Sequence, residues 1–472
     1  MRAPLRAACP MELHDVARAL ELAPVGLPAA SIAGVATDSR DVQPGDLFVA
    51  RVGEQADGHQ YLDAALDAGA AALLLERLPE RAPAVPVLQV SDTTAALGQL
   101  ARFHRRRLGL PLVAVTGSNG KTTTKEMIAA VLAAEAGGRE HVLVTPGNFN
   151  NHVGLPLTLL AGEAHHRRGV VELGMNAPGE IDTLTGLAEP EVGVVTNASE
   201  AHLARFGTVD GVARAKAELW GRLADTACAV VPLDDPRLPA LAASFPGRQV
   251  TFGETAGADV RILRVAPTAE VGLTVELELA GAPLSVTVPV PGRHNAWNAA
   301  AAAAAAHALG LDPAVIALGL PQTRLPGHRA VRLELGGVVV LDDSYNANPA
   351  SVRAALGTLA DLPGQGRLGA VLGDLRELGE AGEDLHRALG AELGQRRLSV
   401  VVGVGTLAAA LCDGARAAGV PEVVHVADAE AAVAVARSRF RAGDRVLVKG
   451  SRAVGLERML HAWQQALYGE VA

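Results

Sequence analysis

The chain has 472 residues, 49% of them apolar and 20% charged, so it is long enough for about three domains and too rich in core-forming residues to be intrinsically disordered. Its 42 Lys and Arg residues against 51 Asp and Glu residues give a formal net charge of -9, which argues against a protein that binds nucleic acid through a broad basic surface. The three widely spaced cysteines exclude a disulfide scaffold and a cysteine metal knuckle, and they indicate a reducing compartment.

Residues 1–108 predict a small N-terminal α/β domain. Short apolar runs at 35–36, 47–50 and 71–75 alternate with Gly and Pro. A helix is predicted from Thr93 to Arg107, where three consecutive arginines precede a Gly and a Pro. Those arginines are typical of a solvated helix end that suits the helix dipole, with a binding role as the alternative. Glu12 and Asp15 interrupt the N-terminal segment, so we expect no cleaved secretory signal.

Residues 109–325 predict a central domain with a doubly wound, mostly parallel sheet of the P-loop type. Near-continuous apolar runs are typical of parallel strands buried on both faces, and they are found at 112–115, 170–173, 192–195 and 229–231. The alternating pattern at 273–279 predicts antiparallel strands added to that sheet. Helices are predicted from about Asn295 and over 312–318. The first of these carries Asn298 and His307 in its apolar stretch, so we expect a helix of a cytoplasmic protein and no membrane span.

Residues 326–472 predict a C-terminal Rossmann-like domain, because strand patterns at 338–341, 369–372, 400–402, 423–426 and 445–448 alternate with helical ones. Gly403, Gly405 and Ala408 follow one of these strands, and Asp428 comes about twenty residues later. This weakly resembles a dinucleotide fingerprint, and such a short pattern arises easily in a chain with 51 glycines.

The strongest local signal is a phosphate-binding loop. A buried strand runs into Gly117-Ser118-Asn119-Gly120-Lys121-Thr122-Thr123, after which a helix is predicted. The two glycines let backbone N–H groups face an oxyanion, Lys121 supplies positive charge, and the Thr122 hydroxyl can bind Mg²⁺. The full Walker A pattern would place a glycine where Val115 stands, so the loop is a shortened variant. ATP is the expected ligand.

Three further residues are candidates for the cation binding that phosphoryl transfer requires. Glu172 ends an apolar run, at the edge where open parallel sheets bind ligands. His202 follows the end of another strand, and a single histidine there is more often structural or solvated. Lys216, by composition, is typical of an exposed helix lysine. The sequence pattern alone does not assign either residue to the site.

Taken in order, the motifs along nearly the whole chain resemble those of the Mur ligases of peptidoglycan synthesis. The resemblance is carried by the phosphate loop and by further segments at 38–40, 45–50, 57–59, 148–156, 172–176, 197–202, 292–299, 342–349, 373–379 and 449–452. Among these, the Asp-Asp-Ser-Tyr-Asn-Ala-Asn-Pro segment at 342–349 is typical of the family member that adds a dipeptide. The Lys-Gly-Ser-Arg segment at 449–452 differs from the Lys-Gly-His-Glu of the enzyme that adds the third residue.

The resemblance implies a role for each matching residue. It implies that Thr122 and Glu172 hold one Mg²⁺ ion and that Glu172 and His202 help to place a second, with Lys216 carbamylated to an N6-carboxylysine beside them. It also implies nucleotide contacts, a UDP-sugar site and a dipeptide pocket. The nucleotide contacts are Asn295 and Asn298 on the adenine side, Asn150 or Asn151 opposite, Arg329 at the γ-phosphate and Asp343 at the ribose. The contacts to the UDP-sugar are Ser39 and Arg40. The residues of the dipeptide pocket are Asn346, Asn348 and Ser451. For Asn348, which precedes Pro349, a helix N-cap is the alternative.

The implied reaction is ATP-dependent joining of D-alanyl-D-alanine to the terminal carboxylate of UDP-N-acetylmuramoyl-tripeptide, through an acyl phosphate. We expect small-molecule substrates, a monomer and closure of the C-terminal domain onto the nucleotide. The alternatives are another ligase of the superfamily, either the tripeptide-forming Mur ligase or folylpolyglutamate synthase, and an ATP-driven switch that ligates nothing. The sequence leaves open whether the tripeptide ends in diaminopimelate or lysine.

Overall fold

The computed structural model describes residues 4–53, 56–268 and 271–469. In these ranges the chain forms three sheets in succession, of five, nine and six strands. Helices follow most of the parallel strands, and this confirms the predicted α/β class with its N-terminal module, doubly wound central sheet and Rossmann-like C-terminal lobe. In the same ranges no helix has the length and hydropathy needed to cross a bilayer.

The first sheet is formed by short strands with buried apolar residues. Its strands are β1 (Arg6–Glu12), β2 (Ser31–Ala36), β3 (Asp46–Val49), β4 (Ala72–Leu75) and β5 (Val87–Gln89), and the helices are α1 (Leu13–Ala19), α2 (Leu62–Asp67) and α3 (Thr93–Leu108). The strands lie in chain order, with β1 antiparallel to β2 and the other neighbours parallel.

The second sheet positions the candidate site. Its strands are β6 (Leu112–Thr116), β7 (Val142–Val144), β8 (Arg168–Glu172), β9 (Val192–Val195), β10 (Cys228–Pro232), β11 (Arg248–Gly253), β12 (Val260–Pro267), β13 (Leu273–Leu279) and β14 (Ala282–Val288). Their order is β14-β13-β12-β11-β10-β9-β6-β8-β7. Strand β6 therefore lies between β8 and β9, and all three are parallel, so the residues after them meet at one edge. The predicted antiparallel addition is present as β12 to β14.

Eight helices surround this sheet within the described residues. They are α4 (Lys121–Ala136), α5 (Gly154–Leu160), α6 (Glu180–Ala188), α7 (Leu203–Phe206), α8 (Val209–Arg222), α9 (Leu238–Ala242), α10 (Asn295–Ala308) and α11 (Pro313–Gly319). Eight consecutive alanines of α10, residues 299–306, are at most 2% exposed, and the helix packs against α4 and the sheet. Alanine favours a helix and lets its neighbours approach closely.

The third sheet has the order β15-β16-β20-β17-β18-β19. Its strands are β15 (Val331–Leu335), β16 (Val338–Asp342), β17 (Leu368–Gly373), β18 (Val400–Val404), β19 (Glu422–Val426) and β20 (Arg445–Lys449), with helices α12 (Pro349–Asp361), α13 (Gly382–Gln395), α14 (Ala408–Ala417), α15 (Ala429–Arg439) and α16 (Leu456–Tyr468). Only the edge strand β15 runs antiparallel to its neighbour in this sheet.

The first and second sheets share one hydrophobic core. A single cluster of buried side chains extends from Ala7 to Phe245, and α3 packs against α5 and α6. The arginines at the end of α3 strengthen this contact. Arg102 and Arg106 pair with Glu189 at 2.6 and 2.5 Å, and the Arg105 Nε group donates a hydrogen bond of 2.8 Å to a carbonyl at the end of α6. The side chains of Arg106 and Arg107 are 57% and 48% exposed, as expected for a solvated helix end, and Arg105 and Arg106 also contact the neighbouring domain.

Candidate active site

A cleft of about 910 Å³ lies where the central and C-terminal domains meet. The central domain supplies the loops after β6, β8 and β9, and the C-terminal domain supplies the loop after β16 and one face of α12. Most of the predicted site residues line this cleft. They are Ser118, Asn119, Gly120, Lys121, Thr122, Thr123, Asn151, Glu172, His202, Asn295, Asn298, Arg329, Asp343, Asn346 and Asn348.

The phosphate loop requires glycine at two positions. Gly117 has φ +144°, and a Cβ atom there would lie 1.9 Å from the Thr196 hydroxyl oxygen. Gly120 has φ +79°, and its Cβ would lie 2.3 Å from Asn298 Oδ1. A side chain at either position would force the loop away from its supports, so the loop conformation depends on both glycines.

The segment after β9 holds the phosphate loop from behind. The Ser118 backbone N–H donates to the Asn197 carbonyl at 3.0 Å, and the Asn119 N–H donates to the Asn197 side-chain oxygen at 3.0 Å. The Thr196 hydroxyl donates to the Asn119 carbonyl at 2.6 Å. The loop is therefore fixed before any ligand binds, which lowers the cost of ordering it around phosphates.

Two cations face the loop. Lys121 Nζ donates to the Gly117 carbonyl at 2.7 Å. Burial lowers the pKa of this amine, the nearby Glu172 carboxylate raises it, and the Arg329 guanidinium lowers it further. The positive charges of Lys121 and Arg329 repel each other. An anion bound between them would relieve this repulsion and would therefore be strongly attracted.

Arg329 is held on an aromatic ring. Its Cζ atom lies 3.9 Å from the centre of the Tyr345 ring, and Arg452 Cζ lies 5.2 Å from the same centre. The Arg329 Nε–H group is buried and has no hydrogen-bond partner within the described part of the chain. A buried donor without an acceptor is costly, and the phosphate oxygens of a nucleotide would satisfy it.

Glu172 and Thr122 form an oxygen-rich pair at the end of β8 and the start of α4. Both are buried, and the Thr122 hydroxyl donates to Glu172 Oε2 at 2.8 Å. The Asn150 side-chain N–H donates to Glu172 Oε1, also at 2.8 Å. A hydroxyl and a carboxylate suit Mg²⁺, which takes few protein ligands and binds phosphate oxygens as well. The described residues contain no group of three or more His, Cys, Asp or Glu side chains that could hold a metal ion.

His202 and Lys216 differ in their surroundings. His202 Nδ1 pairs with Glu377 of the C-terminal domain at 2.5 Å, so this histidine links the two domains in the present conformation. Lys216 is 1% exposed, contrary to its exposed-lysine composition. Burial and the charge of Lys121 lower the pKa of Lys216 well below its ordinary range. The carboxylates of Glu172, Glu218 and Glu180 act in the opposite direction and raise this pKa, but they do not offset the lowering. The roles predicted for both residues at a second ion stay predictions.

The residues predicted to contact the nucleoside have partners within the protein. Asn298 Nδ2 donates to Asn295 Oδ1 at 2.8 Å, and Asn295 Nδ2 donates to the Pro291 carbonyl at 2.6 Å. Asn151 Oδ1 accepts from the Gly154 backbone N–H at 2.9 Å. Of the two asparagines left open by the sequence, Asn150 contacts Glu172, whereas Asn151 Oδ1 accepts from the backbone N–H groups of Val153 and Gly154 just where α5 begins. Asp343 pairs with Lys449 at 2.5 Å.

The predicted dipeptide pocket is only partly assembled. Asn346 and Asn348 line the cleft, but Ser451 does not: it is 4% exposed, and its hydroxyl accepts a hydrogen bond of 2.8 Å from the Arg376 backbone N–H. Asn348 forms a capping box with Ser351 at the start of α12, so the predicted helix cap is present, and its role in the dipeptide pocket stays a prediction. Its Nδ2 group also donates to Asn119 Oδ1 at 2.8 Å, across the two domains.

Ser39 and Arg40 lie apart from this cleft, just after β2 of the first sheet. Arg40 is exposed and bonds to Asp38 at 2.6 Å. They follow the carboxyl end of a parallel strand, where a ligand of the N-terminal domain is expected. The role predicted for them at a UDP-sugar site stays a prediction.

The weak dinucleotide fingerprint has a structural explanation. Gly405 has φ +106°, and a Cβ there would lie 2.6 Å from the Asp374 carboxylate, which accepts a hydrogen bond of 2.9 Å from the Ala408 N–H. Asp428 caps α15. A carboxylate of the protein thus occupies the helix start where a pyrophosphate would bind.

Sequence reasoning gave no role to Tyr345 or Asn197. Both stand in segments that carried the resemblance, but neither residue type is itself diagnostic of phosphate chemistry. The signal for Tyr345 is an aromatic residue inside a polar loop directly after a buried strand. Asn197 follows β9 in the same way that Glu172 ends β8, and a polar residue at the end of a parallel strand is a usable signal.

Family models match all three parts of the chain. The model for the Mur ligase family catalytic domain matches residues 31–105, that for the Mur ligase middle domain matches 115–306, and that for the Mur ligase glutamate ligase domain matches 328–452. Together they span most of the chain.

Relatives and solved structures agree with these matches. The UDP-N-acetylmuramoyl-tripeptide--D-alanyl-D-alanine ligases of Bacillus subtilis and Escherichia coli are each 36% identical to this chain, over 91% of it and 92% and 93% of their own lengths. The crystal structure of MurF from Acinetobacter baumannii has a TM-score of 0.88 at 31% identity, covering 97% of this chain and 100% of the other. The MurF ligase of Thermotoga maritima in complex with ADP has a TM-score of 0.82 at 30% identity, covering 92% and 97%. The chain belongs to the Mur ligase family.

Proposed function

We propose that the chain joins D-alanyl-D-alanine to the terminal carboxylate of UDP-N-acetylmuramoyl-tripeptide, with ATP cleaved to ADP and phosphate. The support is that relatives aligned over about nine tenths of the chain carry this activity in their names. We place the reaction in the cytoplasm, carried out by a monomer. The proposed division of labour is UDP-sugar binding by residues 1–108, ATP binding by 109–325 and dipeptide binding by 326–472.

The observation that carries the proposal is the convergence of three features in one cleft. Lys121 and the unsatisfied Nε–H of Arg329 offer positive charge, and the Thr122–Glu172 pair offers oxygen ligands. They come from two domains, so a nucleotide bound between them is contacted from both sides. A triphosphate needs this combination, because its charge must be neutralised before a second anion can approach.

In the proposed mechanism the tripeptide carboxylate attacks the γ-phosphorus of ATP, and the bond to the β,γ-bridging oxygen breaks. This yields an acyl phosphate and ADP. The amine of D-alanyl-D-alanine then attacks the acyl carbon, and phosphate leaves as the amide forms. Lys121 and Arg329 stabilise the negative charge that develops in both steps, and the fixed phosphate loop orients the leaving group. Thr122 and Glu172 would hold Mg²⁺, which supplies further charge neutralisation when bound.

Lys216 is proposed to carry a carbamate. Carbamylation requires the neutral amine, and burial beside Lys121 favours that form. The product is an anion on a long side chain, which would attract a second divalent ion instead of repelling it. His202 would contribute to the same ion after release from Glu377.

Phosphate release measured with each substrate omitted in turn tests the proposal. We expect release to require ATP, D-alanyl-D-alanine and UDP-N-acetylmuramoyl-tripeptide together, with separate arms for tripeptides ending in diaminopimelate and in lysine. Release that needs neither peptide substrate would instead indicate an ATP-driven switch. Release with a folate and glutamate, but not with the muramoyl peptide, would indicate folylpolyglutamate synthase activity.

A further inference from the structure

Lys125 is a fully buried lysine that the proposed reaction does not use. It lies on α4 one helical turn after Lys121, and its side chain is 1% exposed. Burial of an ammonium group is costly unless the group is paired and hydrogen-bonded. The partners of Lys125 therefore show what its charge does in the fold.

The Lys125 ammonium group links α4 to the end of β7. Its Nζ atom donates to the Thr145 carbonyl at 2.7 Å and pairs with Glu126 Oε1 at 2.9 Å. Glu126 also pairs with Arg139 at 2.7 Å, nearer the surface. The inward contact of Lys125 is thus with Thr145, the first residue after β7.

Thr145 in turn fixes the end of β8. It is 0% exposed, and its hydroxyl oxygen accepts a hydrogen bond of 3.0 Å from the Glu172 backbone N–H. Its own backbone N–H donates to the Val170 carbonyl at 3.2 Å. Lys125, Thr145 and Glu172 therefore form a continuous chain of hydrogen bonds from the phosphate-loop helix to the carboxylate residue.

Helix α4 thus has two connections to Glu172. The direct one is the Thr122 hydroxyl on the carboxylate, and the indirect one runs from Lys125 through Thr145 to the backbone of Glu172. Thr122 and Lys125 are three residues apart and share one side of the helix. If Thr122 and Glu172 held a Mg²⁺ ion through these oxygens, the direct bond between them would be lost. The indirect connection uses none of those atoms and persists.

We propose that Lys125 is a positioning residue for the metal site. Through Thr145 it holds the backbone of Glu172 at a fixed place relative to Thr122, so that both oxygens can reach the same ion when their own hydrogen bond is broken. The inference rests on the proposed function, because it assumes that a divalent ion and a nucleotide bind at this site.

The test is the affinity of the full-length protein for Mn²⁺ in the presence of ADP, followed by electron paramagnetic resonance. Lys125→Met keeps the apolar stem and removes the ammonium group. We expect it to weaken Mn²⁺ binding by about tenfold, the usual scale for partners that orient metal ligands. ADP binding in the presence of EDTA should stay within about twofold. Arg139→Gln is the matched control, because it alters the outer partner of Glu126 without touching Thr145, and its Mn²⁺ affinity should match the wild type.

Thr145→Val provides a second variant. It keeps the backbone carbonyl that accepts from Lys125 and removes the hydroxyl that accepts from Glu172, and we expect the same weakening. If Lys125→Met does not fold, this variant decides alone. Mn²⁺ affinity within about twofold of wild type in the folded variants would overturn the inference and leave the proposed function intact. A wild-type protein that binds no Mn²⁺ with ADP would overturn both.

Discussion

Asn348 and Asn119 lie in different domains, and the Asn348 side chain donates a hydrogen bond of 2.8 Å to the Asn119 side chain. Asn119 belongs to the phosphate loop, and Asn348 caps α12. The same asparagine therefore stabilises a helix of the C-terminal domain and contacts the loop expected to hold the nucleotide. We therefore expect this contact to couple movement of the C-terminal domain to the position of the phosphate loop.

The two roles of Asn348 can be separated by substitution. Asn348→Asp keeps a good cap for α12 but replaces the amide donor with a carboxylate facing the phosphate loop, so we expect the free energy of unfolding to change little and ADP affinity to fall by about tenfold. Asn348→Ala loses both the helix cap and the amide donor, so it should lower ADP affinity and also lower the free energy of unfolding by about 1 kcal/mol. Urea unfolding and ADP titration measure these effects. An Asp variant with unchanged ADP affinity would contradict the link to the loop.

Glu172→Gln should reduce turnover by more than about a hundredfold, because the neutral amide cannot offset the charge of a divalent ion. The side chain keeps its size, so we expect the thermal unfolding midpoint to stay within a few degrees. Steady-state phosphate release with all three substrates measures the change. Turnover within tenfold of wild type would remove Glu172 from the mechanism. Glu163→Gln, at an exposed position, is the control and should retain full turnover.

Tyr345 should act through its ring, on which Arg329 lies. Tyr345→Leu removes the cation–π contact, and we expect kcat/KM for ATP to fall about three- to tenfold. Tyr345→Phe keeps the ring and should stay within about twofold of wild type. Equal losses in both variants would assign the effect to the hydroxyl group instead.

Lys216 should bind carbon dioxide. Because burial lowers the pKa of its amine well below the ordinary range, the neutral form is favoured, and carbamylation should follow on exposure to bicarbonate. A ¹³C-bicarbonate-treated sample should give a protein-bound carbamate resonance that is absent from Lys216→Gln. The same resonance in the variant would place the modification on another amine.

Glu189 should make stability depend on pH in the acid range. The hydrogen bond from Arg106 is the main cause that lowers the pKa of Glu189 to about 2. Since the folded-state pKa lies below the ordinary value of 4.5, the contribution is complete above pH 4.5 and is lost as the pH falls through about 2. The difference in free energy of unfolding between wild type and Glu189→Gln should therefore shrink between pH 5 and pH 3. A constant difference would contradict this assignment.

The central sheet and its phosphate loop were predictable because their signals are local. Parallel strands buried on both faces are continuous apolar runs, and β9 was predicted with its observed bounds, Val192–Val195. The glycines of the loop and the lysine after them are adjacent in sequence. Glu172 could be placed at the same edge because it ends a strand of the same type.

Features that depend on packing between distant segments were not predictable. Lys216 has the sequence surroundings of an exposed helix residue, and only the packing of α8 against α6 and β9 buries it. The Asn348–Asn119 contact joins residues 229 positions apart. Arg102 and Arg106 of α3 pair with Glu189, 87 and 83 positions away in the sequence. Ser451 stands beside cleft residues in sequence, but its hydroxyl faces the Arg376 backbone.

The apolar interior shared by the first two sheets has a mechanical consequence. A hinge between them would have to open a continuous hydrophobic surface to water, whereas the contacts between the central and C-terminal domains include individual polar pairs such as Asn348–Asn119 and His202–Glu377. We therefore expect the first two domains to move as a single rigid body, and the C-terminal domain to move relative to them.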